Sequence, residues 1–267
     1  MFDVHPVSII GPGTQPPVLV ALLGTFRLTL QGALAPIGSG SKAETLLSHL
    51  ALARQRRVPR LHLLEHLWPD CESTLAGQSL NSLTYRLNKL ASKSLDGAEL
   101  VTHEDGYYSL NTESGVEVDI DCFDTWSNAG KRLLQSGHEA EGLAHCQRAL
   151  VLYRGDLCGD SSICTVIERE RLRAACLDLL ACLADYYYAR RNPAEAMKYI
   201  HRLLAHDPCR EDAHRQAMRC YVRLGLRAQA LRQYQICSQA LRVEFNATPE
   251  PATIDLYDTI RLDPASV

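Results

Sequence analysis

S-L-N-S-L-T-Y-R-L-N-K-L, residues 79–90, is the stretch on which the reading of this chain turns. Leu80, Leu83, Leu87 and Leu90 recur at three- and four-residue intervals, the period of a helix that buries one face. The spacing predicts a helix from about Leu75 to Leu90. With about 100° between successive residues, the opposite side carries Gln78, Asn81, Ser82, Tyr85 and Lys89. Arg86 and Asn88 flank that side. Amides, hydroxyls and cations on one exposed stripe are the groups that reach base edges and phosphates in a major groove. They equally suit an ordinary solvated face, so the surrounding sequence decides between the two.

Upstream, V-L-V-A-L-L (18–23) and T-F-R-L-T-L (25–30) are short apolar or alternating runs separated by Gly24, and they read as strands. From Lys42 the period becomes helical, with Leu46, Leu47, Leu50 and Ala53 on one face. After R-Q-R-R-V-P (54–59) comes a second short helix, R-L-H-L-L-E-H-L-W (60–68), with Pro59 suited to its first turn and Pro69 ending it. Its Leu61, Leu64, Leu67 and Trp68 are expected to face the core, with His62 and His66 toward water. Downstream, E-L-V-T-H-E-D-G-Y-Y-S-L-N (99–111) reads as two strands around Asp105-Gly106, a hairpin signal. Strands, three helices and a hairpin, in that order, make a winged helix-turn-helix.

From Asp119 the chain is helical and repetitive. Ala194 and Ala228, Ala196 and Ala230, and Tyr187 and Tyr221 are each 34 residues apart, the tetratricopeptide period, with small residues where paired helices cross. Pro208 follows Ala196 by twelve residues, where such a repeat turns toward the next. A weaker earlier copy is G-H-E-A-E-G-L-A-H-C-Q-R-A-L-V-L-Y, residues 137–153. Three units are about the minimum for a stable solenoid. The fold class expected is therefore mainly α with small β elements. A Pro/Gly-rich tail (1–17) precedes a winged helix-turn-helix (18–111), a linker (112–118), a tetratricopeptide-like helical domain (119–262) and a short tail (263–267).

The chain of 267 residues, 46% of them hydrophobic, has enough apolar content for a sizeable core. No apolar run approaches the ~20 residues of a membrane span, and M-F-D-V-H-P-V-S-I-I lacks a basic leader, so a cytoplasmic, nucleoid-associated protein is expected. The ten cysteines include no C-x-x-C pair, and several lie within apolar helical patterns; they read as reduced, mostly buried thiols. Net charge is −3, but residues 41–93 carry eight Lys/Arg against four acids, while 111–267 carry 19 against 22. A basic module on an acidic chain suits nucleic acid at one end and a different employment at the other.

Two stretches imitate enzyme motifs. P-I-G-S-G-S-K-A-E-T-L-L (36–47) has the look of a phosphate loop but lacks the G-x-x-x-x-G-K-[ST] spacing that wraps phosphates and places a hydroxyl on magnesium. It reads instead as a turn and a helix start, with Ser41 and Glu44 placed as a capping box. H-L-L-E-H (62–66) matches the inverted zinc-peptidase motif. The helix is only about two turns long, however, and no third ligand stands out. No catalytic residue, cofactor or metal is assigned.

Taken together, these segments resemble the SARP family of actinobacterial antibiotic-pathway activators, in which an OmpR-type winged helix is joined to a bacterial transcriptional activator domain. In the first half the resemblance rests on residues 36–50, L-L-E-H-L-W (63–68), 79–90 and G-Y-Y-S-L (106–110). In the second it rests on V-D-I-D-C-F (118–123), C-Q-R-A-L-V-L-Y-R-G-D-L (146–157) and L-R-V-E-F-N-A-T-P-E-P (241–251). It implies a transcriptional activator that binds direct-repeat sites in double-stranded promoter DNA and recruits RNA polymerase holoenzyme, as a homodimer at least on DNA, with room for a small-molecule effector and no membrane partner. It also implies that Lys42, the helix around Asn81 to Lys89, and the hairpin near Tyr107 lie on the DNA side. Two departures stand out: Val58-Pro59 replaces the usual Ser/Thr helix cap, and the hairpin tip His103-Glu104-Asp105 is acidic.

The expected DNA-binding set is Lys42, Arg57, Arg60, Gln78, Asn81, Ser82, Tyr85, Arg86, Asn88, Lys89 and Tyr107. The competing reading is a ligand- or peptide-sensing repeat scaffold in which DNA binding is auxiliary.

Overall fold

Two tight turns set the β framework. Gln31 and Gly32 (φ 48° and 83°) and Asp105 and Gly106 (φ 50° and 81°) occupy the left-handed region in pairs, as two-residue hairpin loops require. The computed structural model describes residues 16–53 and 57–266. The tail expected over 1–17 and the basic residues Arg54 and Arg56 fall largely or wholly outside that range, as does residue 267.

β1 (Val18–Ala21), β2 (Arg27–Leu30) and β3 (Ala33–Leu34) form an antiparallel meander, Val18 opposite Leu30 and Thr29 opposite Leu34. α1 (Lys42–Leu52) follows, capped by the Ser41 hydroxyl, which accepts the Glu44 N–H at 3.3 Å. Glu44 reaches back to the Gly40 N–H at 2.6 Å, one residue earlier than in a standard capping box. Next come β4 (Arg57–Pro59), α2 (Arg60–Leu67), α3 (Ser73–Ala91), β5 (Val101–Glu104) and β6 (Tyr107–Leu110). β4, β6 and β5 make the wing sheet, with Val58 and His103 on either side of Tyr108. Leu46, Leu47, Leu50, Leu63, Leu67, Leu80, Leu100 and Tyr108 are buried between these helices and strands.

β7 (Val116–Val118) runs parallel to β1 and completes the first sheet in the order β3-β2-β1-β7. It leads directly into α4 (Asp119–Gln135), followed by α5 (Glu139–Leu152) and α6 (Ile163–Ala189). Then come α7 (Pro193–His206), α8 (Glu211–Arg223), α9 (Arg227–Phe245) and α10 (Pro251–Leu262).

The chain divides into two compact units. The first holds the described residues up to Gly130 together with Leu143–Leu172, and the second holds Lys131–Gly142 and Arg173 onward. In the first unit, the segment between α5 and α6 is laced to the end of β1. Gly24 N–H donates to the Asp156 carbonyl at 3.0 Å, and Cys158 N–H to the Leu22 carbonyl at 2.9 Å.

The second unit repeats one helix turn. Gly137, Arg191 and Gly225 adopt left-handed φ values of 86°, 57° and 75°. Each is followed by an N–H that bonds five residues back: His138 to Leu133, Asn192 to Tyr187, Leu226 to Tyr221, at 2.8–3.0 Å. These are Schellman-type closures, which satisfy carbonyls left open at a helix end. Five residues after each closure stands a small residue at the crossing. Ala196 and Ala230 are fully buried, and a Cβ on Gly142 would come within 2.9 Å of Leu134. The tetratricopeptide-like repeat is thus carried by backbone geometry as well as by composition.

Several local expectations are corrected. Pro59 lies outside the first turn of α2: it ends β4 and precedes Arg60, whose N–H bonds the Gly106 carbonyl at 2.8 Å. Leu61 is 63% exposed rather than in the core, because the buried face of α2 is Leu63, Leu64 and Leu67. On α3, Leu90 is only half-buried, and Ala76 and Ala91 extend the apolar stripe instead. Residues 116–118, read as linker, are a strand of the first sheet.

Candidate nucleic-acid interface

α3 is amphipathic and long enough, at 19 residues, to present a continuous polar face beyond its buried stripe. Gln78, Ser82, Tyr85, Arg86 and Lys89 are all exposed, Tyr85 to 66%. Arg86 makes one local bond, Nε to the Ser82 carbonyl at 3.3 Å, which lays its side chain along the helix surface. Two shallow concavities flank the helix. One is lined by Lys42, Trp68, Gln78, Ser82 and Arg86, the other by Asn81, Tyr85, Asn88, Lys89 and His103.

Other members of the expected set hold the scaffold together. The Arg60 guanidinium donates to Asn81 Oδ1 at 3.0 Å and to the Tyr108 hydroxyl oxygen at 2.9 Å, and the Tyr108 hydroxyl donates to Asn81 Oδ1 at 3.3 Å. This cluster joins α2, α3 and β6. A Cβ on Gly77 would lie 2.6 Å from the Arg60 guanidinium, so the helix has glycine where the cation crosses it. Burial pushes the Tyr108 hydroxyl above the usual phenol range, against the opposing pull of Arg60. Asn88 is engaged at both ends: its amide donates to the Val101 carbonyl at 3.0 Å and its oxygen accepts the Val101 N–H at 2.9 Å. It therefore fixes the wing's first strand to α3.

Lys42 donates its ammonium to the Leu67 carbonyl, the last residue of α2, and sits 6.0 Å from the Trp68 ring centroid. A cation at a helix C-terminus complements the dipole there. Arg57 lies over the Tyr107 ring at 4.9 Å, so β4 and the wing present one cation and one aromatic together. Among the described residues no ion pair involves Lys42, Arg57, Arg60, Arg86 or Lys89, in contrast to Arg171, which pairs with Asp124 and Glu168.

One residue central to the architecture, although it lies within V-D-I-D-C-F, was given no role by the sequence. Asp119 is 1% exposed, and its carboxylate accepts the N–H groups of Leu22 and Leu23 at 2.8–2.9 Å. These are donors that β1 leaves open beyond its last paired residue. Burial pushes its carboxyl up to about 6, opposed by the backbone donors and by Arg27. Neither hydrophobic period nor motif spacing marks such a residue. Gly77 was legible in principle, since an isolated glycine inside a helix usually has a packing reason.

The described residues include no helix long and apolar enough to cross a membrane. The family model for the bacterial transcriptional activator domain matches residues 118–261. The chain is 27% identical over 246 residues to the regulatory protein AfsR of Streptomyces coelicolor, covering 91% of this chain. It is 23% identical over 257 residues to the AfsR of Streptomyces griseus, covering 93%. It spans about a quarter of the length of both relatives, 24% and 26%. Mycobacterium tuberculosis EmbR, solved in complex with a low-affinity phosphopeptide, shares the fold at a TM-score of 0.67 and 20% identity, over 92% of this chain and 65% of EmbR.

Proposed function

Since the chain belongs to the bacterial transcriptional activator domain family and is a transcriptional regulator of the SARP type, we propose that its winged helix binds double-stranded promoter DNA. The observation that carries this reading is that, among the described residues, the cations on and beside α3 pair with no carboxylate, next to an exposed amide, hydroxyl and phenol on the same face. Gln78, Ser82 and Tyr85 would read base edges in the major groove, while Arg86, Lys89 and Arg57 would contact phosphates. Arg60, Asn81 and Asn88 would act mainly by positioning α3 against the wing. Lys42 would hold the end of α2 and present its charge to the backbone. Tyr107, with Arg57 over its ring, would place the wing beside the duplex.

The helical unit would hold two copies in one orientation on direct repeats and offer a surface to RNA polymerase, without catalytic chemistry. Two linked winged helices gain from effective concentration, so paired sites should be bound far more tightly than single ones. The test is a titration of the full chain on duplexes from the region upstream of its own gene, carrying one or two repeat copies, against scrambled competitor. Selective and cooperative binding to the paired site is expected. Equal affinity for scrambled DNA would refute the reading.

A further inference from the structure

The histidines of H-L-L-E-H lie near-parallel one helical turn apart, with the ring centroids of His62 and His66 separated by 6.4 Å. His66 comes closer to His49, at 4.0 Å between ring centroids and an interplanar angle of 60°. His49 lies in the last turn of α1 and His66 in the last turn of α2. A carboxylate far away in sequence, Asp160 between α5 and α6, closes the group. One ligand atom from each of the three lies within 4.8 Å of the other two.

We propose that His49, His66 and Asp160 form a binding site for a first-row divalent cation of the zinc type. Two imidazole nitrogens and one carboxylate oxygen are donors such ions favour, whereas calcium and magnesium take oxygen ligands. Zinc–ligand bonds of about 2.0–2.1 Å place neighbouring donors about 3.4 Å apart, so modest rotamer adjustment of two surface side chains closes the site. Three protein ligands leave the remaining position to water.

Hydroxyl donors beside the carboxylate already fix its orientation. Asp160 Oδ1 accepts from the hydroxyls of Ser162 and Thr165, both at 2.7 Å, while Oδ2 accepts no hydrogen bond among the described residues. The backbone of this segment is held too: Arg169 Nε donates to the Leu157 carbonyl at 2.8 Å. A bound cation would clamp α1 and the end of α2, which leads into α3, to the segment ahead of α6. That would make the pose of the DNA-facing helix dependent on metal.

The test uses the full chain, stripped with chelator and titrated with Co2+ and with Zn2+ alone. Calorimetry, visible absorption and thermal melting are recorded on the wild type and on His66→Asn, Asp160→Asn, Thr165→Val and His62→Asn. The expected result is one equivalent bound, d–d absorption without a thiolate charge-transfer band, and a raised melting temperature. Affinity should fall by about 100-fold or more in His66→Asn and Asp160→Asn, by about 10-fold in Thr165→Val, and stay unchanged in His62→Asn. Circular dichroism of the metal-free variants checks that each is folded. Absence of saturable binding, equal binding in His66→Asn and Asp160→Asn, or a thiolate band placing the ion on cysteine would each overturn the site.

Discussion

The polar surface of α3 and that of the second unit differ in what their charged side chains do. In the second unit several cations find carboxylate partners: Arg190 pairs with Glu139, Arg210 with Asp212, and Arg215 with Glu250. The buried polar pair His214 and Gln233 there is satisfied as well. His214 Nε2 donates to the Pro208 carbonyl at 2.9 Å while Nδ1 accepts from Gln233 at 2.7 Å. Among the described residues the cations facing out from α3 pair with no carboxylate, whereas Asn81 Oδ1 and both ends of the Asn88 amide are held by hydrogen bonds to neighbouring elements. An engaged polar group reports on stability when truncated, whereas an unengaged one reports on a partner. That distinction separates scaffold from interface on a single helix.

The largest effect is expected at the most engaged group. Asp119→Ala strands the buried N–H groups of Leu22 and Leu23 and should cost about 3 kcal/mol of stability in urea unfolding. Because burial raises its folded pKa to about 6, the native state binds the proton more tightly than the unfolded chain. Its contribution to stability therefore declines as pH rises from about 4, the unfolded carboxyl value, to about 6, and is level above. A carboxyl-carbon NMR titration of Asp119 should have its midpoint near 6; a midpoint near 4 would contradict the burial argument.

Tyr85→Ala comes next and should behave in the opposite way. With the ring 66% exposed, stability should change by less than about 0.5 kcal/mol, while specific DNA affinity should fall by about 1–3 kcal/mol. Measuring both on one preparation breaks the comparison if stability falls and affinity does not. Asn88→Ala should cost about 1–2 kcal/mol of stability by freeing the Val101 N–H and carbonyl, with DNA affinity reduced only through the loosened wing.

Lowering the pH sharpens the comparison from the second unit's side. Burial holds His214 below the usual imidazole range. Its stabilising contribution is complete above 6.5, the unfolded value, and is lost as pH falls below it. A His214→Gln variant should show a flatter melting profile over that window. The smallest effect is expected at Arg190→Ala, whose pair with Glu139 is roughly half exposed, at less than about 1 kcal/mol by thermal melting.

Much of this was legible in the sequence, and the rest was not for identifiable reasons. The leucine period gave α3, Asp105-Gly106 gave the wing, and the 34-residue spacing gave the helix hairpins. Each is a local pattern with its own physical period. β3, β4 and β7 have two or three residues each, too short for any period to declare itself. On α3 the helical wheel identified the polar face, but it could not tell Tyr85 from Asn88. What separates them is Val101, thirteen residues away on another element. The pairing of His66 with His49 and Asp160 was hidden for the same reason, since its third member is 94 residues beyond His66 in sequence.

The central claim, that the unpaired cations of α3 face DNA phosphates, is tested most directly by the salt dependence of affinity in an Arg86→Ala/Lys89→Ala variant. Two lost phosphate contacts should shallow the slope of log affinity against log salt by about 1.8, with the melting temperature unchanged. A slope identical to the wild type, in a variant that still folds and binds, would show that these cations point only at solvent.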